Sequence, residues 1–125
     1  MNYQDWTVIV VEDTFDDIQL TSAILAHFGV NVHVAQNGVE CLKLLNAVTP
    51  TFIITDLAMP EMDGWEMLRQ LRDNSSTRHI PVIAMTAYDS PNVGDDAQEV
   101  GFDAYFPKPL RARQFMEHLA RIIKP

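Results

Sequence analysis

Short apolar runs recur along the chain, separated by longer stretches in which apolar side chains return every three or four positions. The runs predict strands at Thr7–Val11, Asn31–Ala35, Thr51–Thr55, Pro81–Thr86 and Ala104–Pro107. The first, third and fourth are apolar at nearly every position, as strands covered on both faces must be. Asn31-Val32-His33-Val34 alternates instead and reads as a strand nearer an edge. Pro107 cannot donate to a ladder, so the fifth strand belongs at the other edge.

The intervening stretches predict helices. The first runs from about Asp16 to Phe28, with Ile18, Leu25 and Phe28 on one stripe and Gly29 placed to end it. The second carries Cys41, Leu42, Leu45 and Val48 inward. The third follows Asp63-Gly64 with Leu68 and Leu71 inward. The last starts near Leu110 and buries Phe115, Leu119, Ile122 and Ile123. A fourth opens at Ser90-Pro91, a good helix start, but Asn92, Gly94, Asp95 and Asp96 are poor helix formers and keep it short. Strands alternating with helices predict an α/β domain built on a parallel sheet. No repeat, Gly/Ser linker or charge block divides residues 1–125, which read as one domain.

Composition narrows the function classes. With 125 residues, 47% apolar and 21% charged, the chain has the balance of a soluble domain with a real core. No apolar stretch approaches the roughly 20 residues of a membrane span, and the N-terminus does not read as a signal peptide. Cys41 is the only cysteine, which excludes an internal disulfide or a cysteine metal cluster and fits a cytoplasmic setting. A net charge of -8 argues against nucleic-acid or anionic-membrane binding.

The chemistry gathers where strands end. The first run leads into Glu12-Asp13, the third into Asp56, the fourth ends at Thr86 and the fifth delivers Lys108-Pro109. In an open parallel sheet the carboxyl ends of the strands line the binding crevice. Clustered carboxylates suit a hard divalent cation such as Mg²⁺, with Mn²⁺ as an alternative. Lys108 offers a point charge for phosphoryl oxygens and Thr86 a hydroxyl. Aspartate is a competent nucleophile toward phosphorus. Asp56 is the best placed, because it is central and precedes the turn-rich segment Ala58 to Gly64. Each residue alone has a bland reading as a polar strand end or surface side chain; the combination outweighs it. Cys41 and Trp65 read as packing. His27 suits a helix C-terminus, His33 and His79 read as surface positions, and His118 lacks a metal-ligand partner at suitable spacing.

Four segments, in order and spanning the chain, resemble the receiver domain of bacterial two-component response regulators. They are Val10-Val11-Glu12-Asp13, Asp56 to Gly64, Ile83-Ala84-Met85-Thr86-Ala87, and Gly101 to Pro109. The resemblance implies a flavodoxin-like five-stranded parallel sheet in the order 2-1-3-4-5 with helices on both faces. The chain starts just before the first predicted strand and ends just after the last helix. That reads as a stand-alone receiver without an output domain, acting by contact with other proteins or as a phosphorelay shuttle, or else as a fragment of a larger protein. Asp56 would be the phosphoacceptor. Asp13, Asp56 and the Ala58 carbonyl would hold Mg²⁺, with Glu12 acting through water. Thr86 and Lys108 would meet the phosphoryl group, Tyr105 would follow Thr86 as a switch, and Lys108-Pro109 would be a cis peptide. The resemblance also implies a histidine kinase or histidine phosphotransfer protein as phosphodonor, with the chain a monomer or a phosphorylation-dependent dimer. Ala58 and Tyr88 fall at the two positions that vary with phosphoryl lifetime in the family, and Pro107 before Lys108 is unusual there.

Two other classes use similar parts. A phosphatase of the haloacid-dehalogenase type needs a second aspartate two residues after its nucleophile, where this chain has Ala58. A flavodoxin-like electron carrier needs a Ser/Thr/Gly-rich phosphate loop after the first strand, where Glu12-Asp13 would repel the flavin phosphate. The scattered glycines form no Walker or dinucleotide pattern.

Overall fold

A computed structural model describes residues 3–59, 61–87 and 93–123. Among these described residues a short 3-10 helix at Tyr3–Asp5 precedes five strands and five α-helices in strict alternation. The strands are β1 (Thr7–Val11), β2 (Asn31–Ala35), β3 (Phe52–Asp56), β4 (Val82–Thr86) and β5 (Ala104–Pro107). The helices are α1 (Phe15–His27), α2 (Gly38–Leu44), α3 (Gly64–Asp73), α4 (Val93–Val100) and α5 (Ala112–Ile122). All neighbouring strands pair in parallel, in the order β2-β1-β3-β4-β5. The order is as the resemblance implies, and both edge assignments are as the sequence pattern predicts.

Alternation along the strands divides the interior in two. Val8, Val10, Phe52, Ile54, Ile83 and Met85 face α1 and α5, where Leu25, Phe115, Met116 and Leu119 complete one core. Ile9, Val11, Ile53, Val82 and Ala84 face the other way and meet Cys41, Met67, Leu68, Leu71 and Ala97. Both faces of β1, β3 and β4 are therefore covered, which is why these strands read as unbroken apolar runs. β2 shows Asn31 and His33 to solvent, as its alternating sequence requires, but Val34 is exposed as well, against the alternation, because this edge strand is only partly covered.

Helix ends follow local chemistry. α1 stops where Gly29 takes a φ of 90°. The Gly29 N–H donates to the Ala26 carbonyl and the Val30 N–H to that of Leu25, while Val30 and Leu25 share the core beneath. α2 and α3 begin behind Asn37 and Asp63, whose side chains accept from the N–H groups of Glu40 and Glu66, each at 2.9 Å. α2 is shorter than its apolar spacing predicts: Leu45 caps it, and Val48 lies beyond its end while still packing on the second core. α5 opens at Ala112, two residues after Leu110. The predicted start of α4 at Ser90-Pro91 lies outside the described residues, as does Tyr88. Among the described residues, no helix is long and apolar enough to cross a membrane.

Candidate functional site

The pairing pattern carries each polar strand end to the same rim of the sheet. Glu12 follows β1 directly, and its N–H donates to the Ala35 carbonyl at 2.9 Å, extending the ladder one step past the strand. Asp56 is the last residue of β3, the central strand, opposite Met85 of β4. Beyond β5 the Lys108 N–H donates to the Thr86 carbonyl at 2.9 Å, so the sheet itself aims the lysine back across the rim. The Lys108-Pro109 peptide is cis, as the resemblance implies.

The side chains converge on one ammonium. Lys108 Nζ lies 2.7 Å from Asp56 Oδ2, 2.9 Å from Asp17 Oδ2, and 3.0 and 3.1 Å from the two oxygens of Glu12. An ammonium has three protons, and three carboxylates take them. The Ala58 N–H donates to the other oxygen of Asp56 at 3.1 Å, so both oxygens of that carboxylate are held. Glu12, Asp13 and Asp56 each offer an oxygen, and these atoms lie within 4.8 Å of one another. Asp13 is exposed, whereas Glu12, Asp56 and Thr86 are buried. Tyr105 is half-buried on β5, packed against the second core.

Close backbone packing fixes the loop that follows Asp56. A Cβ added at Gly64 would fall 2.5 Å from the Asp56 carbonyl oxygen. Only hydrogen at that position lets the start of α3 approach the end of β3. The Gly64 N–H closes the loop by donating to the Leu57 carbonyl at 3.1 Å. Within the same loop Glu61 takes a φ of 63°, a left-handed conformation uncommon for a residue with a side chain.

Electrostatics set apart Glu12, Lys108 and Asp17. Burial pushes the Glu12 carboxyl up to about 8, against the pull of its bonds to Lys108, and the neighbouring charge of Asp56 adds to the rise. Burial alone would lower Lys108, but its bonds to Asp56, Asp17 and Glu12 outweigh that and hold it above the ordinary lysine range. Asp17 is held below the usual carboxylate range, chiefly by its bond from Lys108.

Every residue singled out from the sequence at a strand end thus lies on this rim, and Glu12, Asp13, Asp56 and Lys108 form one cluster. Asp17 and Thr14 were not foreseen. Thr14 Oγ1 lies 2.8 Å from Asp17 Oδ2 and 3.1 Å from Glu12 Oε1, bridging the two carboxylates. Acidic residues in a first helical turn are common for dipole reasons, so nothing in the sequence separates Asp17 from Asp16.

Comparison with known proteins agrees with the geometry. The family model for the response regulator receiver domain matches residues 8–120. The polar-differentiation response regulator DivK of Brucella anthropi is 32% identical over 111 residues, covering 89% of this chain and 90% of its own. The crystal structure of the signal receiver domain of a signal transduction histidine kinase from Syntrophus aciditrophicus superposes with a TM-score of 0.84 at 30% identity. That match covers 94% of this chain and 89% of the other. The receiver domain of the sensor histidine kinase PA1611 from Pseudomonas aeruginosa PAO1 shares the fold, with a TM-score of 0.82 at 24% identity, covering 94% and 97%. That structure holds a magnesium ion coordinated in its active-site cleft. On the match across residues 8–120, the parallel order β2-β1-β3-β4-β5 and the acidic rim, the chain belongs to the response regulator receiver domain family.

Proposed function

We propose that Asp56 is the phosphoacceptor of this receiver. The observation that carries the reading is the clamp on its carboxylate: Lys108 Nζ at 2.7 Å on one oxygen and the Ala58 N–H at 3.1 Å on the other, at the end of the central strand. A carboxylate oxygen of Asp56 attacks phosphorus, the bond from phosphorus to the donor breaks, and the donor keeps that electron pair. Lys108 remains beside the new acyl phosphate and offers N–H to its oxygens. Thr86, buried at the end of the adjacent strand, supplies a hydroxyl.

The donor set fits Mg²⁺. Glu12, Asp13 and Asp56 present oxygen alone, with carboxylate oxygens close enough to share one small cation. Asp13, Asp56 and the Ala58 carbonyl would hold it directly and Glu12 through water. When bound, it neutralises charge on the phosphoryl oxygens. This chain's chemistry is confined to transfer onto, and hydrolysis from, its own aspartate. A histidine kinase or histidine phosphotransfer protein is the phosphodonor, and the output is a protein-docking surface reshaped as Thr86 and Tyr105 respond.

Intact mass after incubation with acetyl phosphate and Mg²⁺ tests the assignment. A single phosphoryl adduct is expected on the wild type and none on Asp56→Asn. An adduct that persists on Asp56→Asn would place the acceptor elsewhere.

A further inference from the structure

We infer that Asp17 is a positioning residue for Lys108: it holds the ammonium in a resting place and so restrains phosphoryl transfer. The inference rests on Asp56 being the phosphoacceptor and concerns the regulation of that same site. Its basis is the distribution of three protons. Lys108 gives one to Asp56, one to Glu12 and one to Asp17, the last at 2.9 Å. Asp56 and Glu12 stand on the sheet rim, whereas Asp17 comes from the first turn of α1. It is the one carboxylate on the ammonium that lies outside the cation-ready cluster of Glu12, Asp13 and Asp56.

Asp17 is itself held for this task. Thr14 is the N-cap of α1 and has the extended backbone of a cap, yet its hydroxyl satisfies no helix N–H. The hydroxyl sits 2.8 Å from Asp17 Oδ2, the same oxygen that accepts from Lys108. A local helix-capping bond, a common use of threonine at this position, is given up for a side-chain contact that orients Asp17. Beside it lies a cavity of about 190 Å³, with Asp17, Thr21, Ala87, Lys108 and Pro109 among its walls. The lysine side chain therefore has space to change rotamer without moving the sheet.

Transfer from acetyl phosphate shows where the restraint acts. An Asp56 oxygen forms the bond to phosphorus, the phosphorus–oxygen bond to acetate breaks, and acetate leaves with the electron pair. Charge on the phosphoryl oxygens then needs a proton donor that Lys108 has already committed. The bond to Asp17 is the one to release, since Asp56 carries the phosphoryl group and Glu12 belongs to the acceptor cluster. Asn at position 17 keeps the shape but removes the charge, and a charge-assisted bond is roughly twice as strong as a neutral one.

Asp17→Asn is therefore expected to be phosphorylated about five-fold faster than wild type by acetyl phosphate in Mg²⁺. Asp16→Asn makes the same charge change one residue away on an exposed position, and is expected to stay within about two-fold. Asp17→Glu should restore the slow rate, and Thr14→Val, which leaves Asp17 charged but unoriented, should give a smaller acceleration of about two-fold. A merely structural role would slow the reaction as the urea midpoint falls; here the rate rises, even though loss of the Asp17–Lys108 ion pair lowers the midpoint slightly. A rate in Asp17→Asn at or below wild type, or an equal rise in Asp16→Asn, would overturn the inference. Failure of the phosphoacceptor reading shows separately, as a wild type that takes no phosphoryl group on Asp56.

Discussion

Gly64 and Gly38 occupy equivalent places in two helices, and alanine at each gives a controlled comparison of what lies beside them. Each opens its helix behind a side-chain cap, and each is buried. A methyl at Gly64 would fall 2.5 Å from the Asp56 carbonyl oxygen and 3.2 Å from Leu57 Cα. A methyl at Gly38 would fall 2.8 Å from Cγ and Sδ of Met62. The first obstacle is backbone, pinned by the Leu57 N–H on the Met85 carbonyl at 3.2 Å. The second is chiefly the far end of an unbranched thioether that can rotate away, with Met62 Cβ at 3.0 Å needing a shift of a few tenths of an ångström. Against an ordinary contact beginning near 3.4 Å, the Gly64 methyl is about 0.9 Å too close. Overpacking of this kind costs about 1–3 kcal/mol, and the smaller unfolded-state entropy of alanine returns about 0.4–1 kcal/mol at both sites. Gly64→Ala is thus expected to lose about 1–2 kcal/mol, and Gly38→Ala to stay within about 0.5 kcal/mol of wild type. Urea unfolding at matched m-values reads the difference as a shift in midpoint. In a domain of this size it corresponds to a melting temperature lower by roughly 4–8 °C. Equal stability of the two variants would refute the argument, because it would mean that the end of β3 yields as easily as a methionine side chain.

Two other features have measurable consequences. Burial pushes the Cys41 thiol up to about 12 from an ordinary 9.0. The neutral thiol therefore favours the folded state fully below pH 9, and that contribution is lost as pH rises toward 12. Relative to Cys41→Ala, wild-type stability should fall by roughly 1.4 kcal/mol per pH unit across that window; parallel pH curves for the two proteins would contradict the burial argument. Arg72 joins α3 to two turns: Nη1 donates to the carbonyls of Arg78 and Ile80 at 3.1 and 2.8 Å, and Nη2 reaches Asp103 Oδ2 at 3.2 Å. Arg72→Ala should cost about 1–2 kcal/mol in urea unfolding, and Arg72→Lys should recover little, since an ammonium lacks the fork that serves both turns. Full recovery by lysine would show that charge alone matters there.

Much of the fold was legible because burial on two faces leaves so plain a trace. β1, β3 and β4 are apolar except at their ends, β2 alternates, and Pro107 marks the opposite edge. The site was legible for a related reason: parallel strands must bring their ends to one rim, so Glu12, Asp13, Asp56, Thr86 and Lys108 could be gathered on paper. What escaped was set by side-chain direction and by contacts between distant segments. Asp17 looks like any first-turn acid until Lys108 arrives from 91 residues away. The early end of α2 escaped too, because Leu45 and Val48 keep a helical spacing after the helix has stopped and pack on the core all the same.

The crowding of carboxylates has a consequence for how variants of this protein should be sorted. Three of them share one ammonium, and a fourth lies within 4.8 Å of two of these. A chain selected for folding alone would not keep that composition. Burial disfavours the charged form of Glu12, so replacing that acid by its amide can raise the melting temperature while taking a carboxylate from the cation-ready cluster. A screen that ranks variants by thermal stability would therefore enrich for inert proteins, and heat resistance at this site is a poor guide to competence.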